Sequence, residues 1–241
     1  MKIRLKFILQ KILGYRNYLF LFAKYKIRTL RKDKREKDFF EFIKVIKTGG
    51  DILDIGANIG IMTYHLSVSF PDRKILAVEP MPSNFIVLKQ VVEKYKLANV
   101  EIIPLAVGET KMEMDMVLPI DKKVRMQGLA HVVHDSIGEW NKGEIVTVSC
   151  DTIDEIAGSK KIAGIKMDIE NFEFFALKGA RKLLKRDKPI IYMELWENEN
   201  RTNCFNLLKE SGYSPFVCEN EQLVPYNPST HKKQNFVFKV D

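Results

Sequence analysis

Two acidic residues and a glycine turn stand where two short apolar runs end. The segment Asp54–Gly60 (DIGANIG) follows Ile52 and Leu53, and Glu79 follows the apolar run Ile75–Val78. Such runs predict buried parallel strands, and the carboxyl ends of these strands form the ligand-binding edge of an open α/β sheet. An acid about 20 residues beyond a glycine turn is placed to accept hydrogen bonds from ribose hydroxyls. We therefore assign Glu79 to the ribose of a nucleoside.

The composition of the turn favours one nucleoside cofactor over another. Gly56 and Gly60 permit a close backbone approach beside the N-terminus of a helix. Their spacing is not G-x-G-x-x-G, which disfavours NAD. S-adenosylmethionine carries a sulfonium and an ammonium group but no pyrophosphate, so the Asp54 carboxylate suits it. The alternative is that Asp54 caps the turn and Glu79 is a solvated strand end, but the ordered pair favours a bound ligand.

Three motifs together resemble the FkbM family of class I S-adenosylmethionine-dependent methyltransferases. They are Asp54–Gly60, Val78–Pro80, and Lys166–Asn171 (KMDIEN) leading to Glu173 and Leu177–Ala180. The resemblance runs from about Asp51 to Val240 and leaves out the N-terminal arm. The family usually has Lys-x-Asp-x-Glu-Gly in the third motif, and Asn171 replaces that glycine here.

The resemblance implies an α/β fold, with a Rossmann-like, doubly wound, mostly parallel seven-stranded sheet and helices on both faces. It also implies methyl transfer to oxygen, commonly on a sugar or polyketide hydroxyl. The glycine turn would surround the methionine end of the cofactor, Glu79 the ribose, and Ala106 with Val107 the adenine. The implied cofactor-binding residues are Asp54, Gly56, Ala57, Asn58, Gly60, Glu79, Pro80, Ala106, Val107 and Asp168.

Methyl transfer to a hydroxyl needs alignment and a base that removes the hydroxyl proton. Asp168, at the end of the fourth strand, is the first catalytic candidate, and Glu170 is the second. Two neighbouring carboxylates raise one another's pKa, which makes one of them a better base near neutral pH. The alternative for either acid is contact with the cofactor's amino group. Glu173 is assigned to stabilising a helix N-terminus through the helix dipole.

Other polar and aromatic residues are weaker candidates. Lys166 orients an oxygen or is a paired strand residue. No metal site is predicted, because the two histidines spaced like helical metal ligands lie in a loop-like segment. Packing is the first interpretation of the two tryptophans, and stacking on sugar rings is the second. These further candidates are Glu194, His131, His134, His231, Trp140 and Trp196.

Alternating helix and strand patterns from Phe39 onward predict βαβ units in one domain, residues 37–241. Residues 213–218 and 235–240 predict a closing antiparallel C-terminal hairpin around a polar loop. Residues 111–149 depart from the alternation, and the period-two spacing of Met112, Met114 and Met116 predicts an edge strand there. We expect this insertion to lie over the active site as part of the acceptor pocket.

The net charge of +8 is concentrated in a basic amphipathic N-terminal arm, residues 1–36. Residues 1–32 contain ten basic side chains and no acid, so the rest has 29 − 31 = −2. The arm suits peripheral contact with an anionic membrane, where each Lys or Arg contributes about 1 kcal/mol, or alternatively packs on the domain. Its apolar run Tyr18–Ala23 is too short to span a bilayer, and Lys11 and Arg16 interrupt any secretory signal.

These features predict a cytoplasmic S-adenosylmethionine-dependent O-methyltransferase that acts on a hydroxyl of a glycan or lipid-linked glycan. Three cysteines without a C-x-x-C pair fit a reducing compartment. The alternatives are a nucleic-acid methyltransferase and a catalytically inactive S-adenosylmethionine-binding protein. Nucleic acid is disfavoured because the excess charge lies in an apolar arm and no Asn-Pro-Pro-aromatic or Asp-Pro-Pro-aromatic motif is present.

Overall fold

A computed structural model describes residues 3–134, 137 and 140–240. Residues 1 and 2 of the predicted arm, 135, 136, 138 and 139 of the predicted insertion, and 241 of the predicted domain lie outside the described residues.

Nine α-helices occur in the described ranges, together with short 3-10 turns. The α-helices are α1 (Ile3–Leu13), α2 (Tyr15–Thr29), α3 (Lys37–Val45), α4 (Ile61–Ser69), α5 (Pro82–Tyr95), α6 (Ile153–Ala157), α7 (Glu173–Lys178), α8 (Arg181–Asp187) and α9 (Glu199–Glu210). The 3-10 turns are Leu30–Lys32, Lys34–Glu36 and Gln127–Leu129.

Thirteen strands occur in the same ranges. They are β1 (Asp51–Ile55), β2 (Ile75–Val78), β3 (Val100–Ile103), β4 (Ala106–Val107), β5 (Met112–Asp121), β6 (Val124–Arg125), β7 (His131–Val132), β8 (Gly143–Asp151), β9 (Ile162–Met167), β10 (Ile190–Glu194), β11 (Tyr213–Glu219), β12 (Gln222–Pro225) and β13 (Asn235–Val240).

The main sheet has the order β12-β11-β13-β10-β9-β1-β2-β3. Strands β10, β9, β1, β2 and β3 are parallel, and β13, β11 and β12 are antiparallel. The Rossmann-like fold and its antiparallel C-terminal strands are thus confirmed. Eight strands are described where seven were expected, because β12 forms inside the predicted polar loop. Asn220 and Glu221 join it to β11 with φ of 49° and 62°, the two-residue turn that suits a hairpin.

Helices cover both faces of this sheet, so its parallel strands read as continuous apolar runs. All six residues of β9 and all four of β2 are buried. The predicted helix before β1 is confirmed as α3, whose Phe39 and Phe42 pack on Tyr192. The polar ligand-binding groups therefore come from the strand ends.

The N-terminal segment divides into two different helices. Helix α2 buries Tyr18, Leu19, Ala23 and Ile27 in a cluster that includes side chains of α5. Helix α1 has no buried residue. Packing on the domain thus describes α2, whereas α1 keeps an exposed side. No helix in the described ranges is both long and apolar enough to cross a membrane.

Residues 106–151 contribute a second, smaller sheet of order β4-β8-β5-β6, with β7 also paired to β5. The predicted edge strand at Met112–Met116 is the start of β5, and among the described strands its residues 112–115 pair with β8 alone. Further along, β5 becomes an interior strand, because β7 pairs with it at Met116 and Val117 and β6 at Ile120 and Asp121. Met114 and Met116 are accordingly buried in a cluster with Met81, which joins this sheet to the main one.

Candidate active site

A cavity of about 430 Å³ lies at the carboxyl ends of the parallel strands. Ile55 of β1, Val78 of β2 and Glu194 of β10 line it, and so does the segment after β9. Gln127–Ala130 and Val132 of the small-sheet region form another wall. The volume falls in the range of about 300–1,000 Å³ that is common for small-molecule sites.

The glycine turn brings two strand ends together. Gly56 has a φ of 71°, and a Cβ there would lie 1.9 Å from the backbone oxygen of Asp168. The Asp168 N–H donates to the Ile55 carbonyl at 3.2 Å, which fixes that approach. Only glycine combines this conformation with this contact, so Gly56 allows the acids after β9 to sit beside the turn.

Two other residues of the turn pack away from the main cavity. Gly60 has a φ of 82°, and a Cβ there would lie 2.8 Å from Leu88 of α5. Ala57 is buried against Ala77 and the same leucine. Both residues were expected to contact the cofactor; neither lines the 430 Å³ cavity, but Ala57 lines a smaller cavity beside it. Close packing of α5 under the turn explains their small size.

Asp54 also differs from its predicted position near the sulfonium, because it is fully buried and does not line the cavity. Thr63 donates to one of its oxygens at 2.6 Å, and the Lys166 ammonium lies 3.4 Å from the other. Burial lowers the pKa of Lys166, but the carboxylates of Asp54 and Asp168 outweigh it, so the pKa is raised. A buried charge requires such a partner. Asp54 is therefore the counter-ion of Lys166.

Lys166 in turn holds the backbone of the turn. Its ammonium donates to the carbonyl of Gly56 at 2.8 Å and to that of Ile55 at 3.3 Å. Of the two interpretations of this lysine, the structure supports the paired strand residue. The Asp54–Lys166 pair therefore supports the site by holding the backbone carbonyls of the glycine turn.

Glu79 lies at the end of β2, lines the cavity, and is only 4% exposed. One carboxylate oxygen accepts from the Asn58 N–H at 2.7 Å. The other accepts from the Met81 N–H at 3.0 Å and from the Asn84 amide at 3.2 Å. Burial raises the pKa of Glu79 to about 7, although these hydrogen bonds oppose the shift. A carboxylate has about four acceptor sites, so one site remains for a ligand hydroxyl.

Three buried amide oxygens on the cavity wall lack a hydrogen-bond partner among the described residues. They belong to Asn58, Asn84 and Gln127. Buried acceptors normally have donors, and S-adenosylmethionine carries hydroxyl, amino and ammonium donors. Pro80, Ala106, Val107 and Phe172 add the apolar wall that a purine needs. The cavity therefore fits this cofactor.

A smaller cavity of about 180 Å³ shares Gly56, Asn58, Gln127 and Asp168 with the main one. Phe22 and Lys26 of α2 line its other side. Helix α2 was assigned to an arm outside the catalytic body, but its side chains border the site. The boundary at residue 36 therefore separates elements that line one cavity.

Asp168, Glu170 and Glu194 bring three carboxyl groups to the main cavity. Glu170 and Asn171 have φ of 56° and 75°, so the chain turns sharply in the left-handed region. Asparagine tolerates this region better than most residues. Asn171 is also held by Asn198 and Asn200, which donate to its side-chain and backbone oxygens at 2.8 and 3.0 Å. Asn171 thus adopts a left-handed conformation that glycine enters without strain.

The acids after β9 and β10 have shifted proton affinities. Desolvation and the Asp168 charge raise the pKa of Glu170 to about 9 and that of Glu194 to about 7. Glu173, the first residue of α7, accepts from the Ile169 N–H at 3.0 Å. Burial raises its pKa to about 8. At neutral pH, Glu170 is therefore protonated, and Glu194 is close to the midpoint of its titration.

The three candidate histidines have different surroundings. His131 bonds to the Leu129 carbonyl at 2.8 Å and to Asn141 at 3.0 Å, which braces the cavity wall. His134 packs on Phe172, and His231 accepts from the Asn227 N–H. The described residues contain no cluster of three or more His, Cys, Asp or Glu able to hold a metal ion.

Trp196 lines the cavity, whereas Trp140 is 44% exposed and does not. The sequence analysis missed Gln127 and Asn84. Neither carries a local signal, because their position depends on how the two sheets meet. Of the expected site residues, the following line the main cavity: Gly56, Asn58, Glu79, Pro80, Ala106, Val107, Asp168 and Glu170.

Comparisons with known proteins agree with this geometry. The profile of the Methyltransferase FkbM domain matches residues 54–215. Methyltransferase 1 of Beauveria bassiana (strain ARSEF 2860) is 23% identical over 142 residues. That match covers 53% of this chain and spans 57% of the length of that protein.

Two solved structures share the fold. Methyltransferase FkbM from Methylobacillus flagellatus KT superimposes with a TM-score of 0.54 at 18% identity, over 79% of this chain and 43% of that one. The METTL16 methyltransferase domain gives a TM-score of 0.50 at 9% identity, over 92% and 79% of the two chains. Since the family profile covers more than half of the sequence, the chain belongs to the FkbM family of methyltransferases, and its cofactor is S-adenosylmethionine.

Proposed function

We propose that this methyltransferase transfers its methyl group to a hydroxyl of a glycan or lipid-linked glycan in the cytoplasm. The observation that carries the proposal is that three carboxyl groups and one indole ring line the same cavity. Asp168, Glu170 and Glu194 line the same cavity as Trp196 and as Glu79, the residue assigned to the ribose. A hydroxyl acceptor needs a base, and a sugar ring packs well on an aromatic face.

The cofactor half of the cavity is supplied by the ends of β1, β2 and β4. Glu79 would hold the ribose through its remaining acceptor site, and Asn84 stands beside it. Ala106 and Val107 would contact the adenine. Gly56 and Asn58 would border the methionine end, with Gln127 across the smaller cavity. When bound, S-adenosylmethionine supplies an electrophilic methyl group on a positively charged sulfur.

The acid half supplies proton transfer. With a pKa raised to about 7, Glu194 is the alternative acceptor of the hydroxyl proton near neutral pH. Asp168 keeps its place as the first candidate because its backbone is fixed against the glycine turn. Glu170, with a pKa raised to about 9, is protonated at neutral pH and is assigned to donating a hydrogen bond to the acceptor.

The small sheet walls this reaction space on one side. Gln127–Ala130, Met116 and Val132 close one wall, and Ile169 and Phe172 close another. Exclusion of water strengthens the electrostatic interactions within the cavity and protects the methyl group from hydrolysis. We propose that the outer part of this wall selects the acceptor.

The test supplies tritiated-methyl S-adenosylmethionine and three separate acceptor pools: cell-surface polysaccharide, lipid extract and total RNA. We expect label in the polysaccharide or glycolipid fraction, and we expect it to survive mild alkali, as a methyl ether does. Glu79→Gln serves as the cofactor-binding control. Label confined to RNA, or released by alkali as methanol from an ester, would contradict the proposal.

A further inference from the structure

Helix α1 presents an apolar stripe to solvent. Leu5, Ile8 and Ile12 are 48%, 50% and 74% exposed, and their i, i+3, i+7 spacing places them along one side of the helix. The other side packs inward, with Leu9 and Leu13 against the α2 cluster. Exposed aliphatic side chains are ordinary when scattered, but three in a row on a helix mark an interaction surface.

The helix is fixed in this orientation by contacts to the small sheet. The Gln10 amide donates to the Arg125 carbonyl at 3.2 Å, and the Arg125 N–H donates back to the Gln10 oxygen at 3.2 Å. The Arg125 guanidinium also lies 5.2 Å from the Tyr15 ring centre. The apolar stripe is therefore a feature of the folded protein and not of a loose tail.

The charged residues near the stripe along the helix are all basic. Arg4, Lys11 and Arg16 are exposed, and residues 3–32 contain no acid. A groove of about 390 Å³ beside α1 adds Lys123 and Arg125 and also contains Ile120 of the β5–β6 hairpin. We define the docking face as α1 together with Ile120 and Lys123. It combines apolar side chains with a surrounding positive field.

We propose that the docking face binds an anionic membrane surface, with α1 lying in the interface. Aliphatic side chains enter the boundary between headgroups and acyl chains, while Lys and Arg contact acidic headgroups. A single-stranded nucleic acid favours aromatic side chains for base stacking, and the exposed stripe is aliphatic. Charge complementarity and aliphatic exposure together favour a bilayer.

The position of this face links it to the cavity. Strand β6 of the hairpin runs directly into the Gln127–Leu129 turn, which lines the site. Docking would hold this wall close to the membrane, where a lipid-linked acceptor resides. The membrane contact itself goes beyond the proposed function and does not depend on the acceptor.

The experiment is co-sedimentation of the full chain with vesicles of mixed phosphatidylglycerol and phosphatidylcholine, and with vesicles of phosphatidylcholine alone. We expect binding to the anionic vesicles, weakened by added salt. Ile8→Gln with Ile12→Gln should lower the partition coefficient about tenfold or more. Val68→Gln on α4, with 47% exposure, is the matched control and should bind within about twofold of wild type.

A second variant, Arg4→Gln with Lys11→Gln, separates charge from packing and should bind the anionic vesicles several times more weakly. Calorimetric binding of S-adenosylmethionine, unchanged in all three variants, shows that the fold is intact whatever the acceptor is. Absence of wild-type binding, or equal binding by the Ile8/Ile12 variant, would overturn the proposal. Binding to a single-stranded RNA oligonucleotide, lost in the same variants without vesicle binding, would also overturn it.

Discussion

The carboxyl groups at the two ends of the active-site cavity have different neighbours. At the end of β2, Glu79 receives three hydrogen bonds, two from backbone N–H groups and one from Asn84. At the ends of β9 and β10, burial and the charge of neighbouring carboxylates raise the pKa values of Glu170 and Glu194. Asp168 is the neighbour that contributes to both shifts. Burial raises the pKa of Glu79 to about 7 as well, so what distinguishes the two ends is that three donors fix Glu79, whereas the other acids lie close enough to repel one another.

This difference indicates a division of labour between binding and proton transfer. A carboxylate held by fixed donors is preorganised to bind hydroxyls without rearranging. A group of buried acids that repel one another has pKa values near or above neutrality, which suits acid–base chemistry. The Asp54–Lys166 pair lies under the point where the two ends meet and holds the carbonyls of Ile55 and Gly56.

The largest effect is expected for Asp168→Asn. The amide keeps the shape but does not accept a proton, so methyl transfer into the labelled polysaccharide fraction should fall about 10²–10⁴-fold. The dissociation constant for S-adenosylmethionine should stay within about threefold, because that end of the cavity is intact. A parallel loss of binding and transfer would show that the two ends are not separate.

Lys166→Met should lower the free energy of unfolding by about 3–5 kcal/mol, because it leaves Asp54 charged and buried without a partner. Urea denaturation measures the change. Adding Asp54→Leu to Lys166→Met should recover part of the loss, since no buried charge then remains. An unchanged stability in the single variant would remove the structural role assigned to this pair.

Glu79→Gln should weaken S-adenosylmethionine binding about 10–100-fold, because hydrogen bonds to a charged group contribute about 1.5–3 kcal/mol. Isothermal calorimetry measures the dissociation constant. Glu101→Gln, an exposed acid on the neighbouring strand β3, is the control and should bind as wild type does. Equal affinities in the two variants would place the ribose elsewhere.

The smallest expected effect is on how the stability of the folded protein depends on pH. The pKa of Glu170, raised by burial and by Asp168, is about 9 when folded, against an ordinary value of 4.5. The folded state therefore binds more protons than the unfolded state, so stability falls as pH rises through this range. Between pH 6.5 and 9 we expect the ligand-free protein to lose on the order of 2 kcal/mol. In Glu170→Gln the thermal midpoint should depend less on pH, with a remaining slope from Glu173, whose pKa is raised to about 8, and an unaltered slope would refute the assignment.

The main sheet and the position of Glu79 could be predicted from sequence because they depend on local patterns. Apolar runs mark the parallel strands, and a lone acid closes β2. The small sheet was not foreseen in that way. Strand β5 pairs with β8, whose residues begin more than twenty positions later, and such non-local pairing leaves only a period-two pattern that does not identify the partner strand.

The site shows the same limit. Gly56 and Gly60 look alike in the sequence, yet the first meets the Asp168 backbone and the second meets Leu88. Asp54 has the residue type of a cofactor ligand, but its environment is set by Lys166, which lies 112 positions later in the chain. Residue type and spacing therefore identified the strand ends, while tertiary packing decided which side chains face the cavity.

The most direct test of the divided cavity is a crystal structure of this protein with S-adenosylhomocysteine. The account predicts the ribose hydroxyls on the Glu79 carboxylate and the sulfur directed toward the acids that follow β9. A ribose bound to Asp168 or Glu194, or a nucleoside outside the cavity, would contradict it.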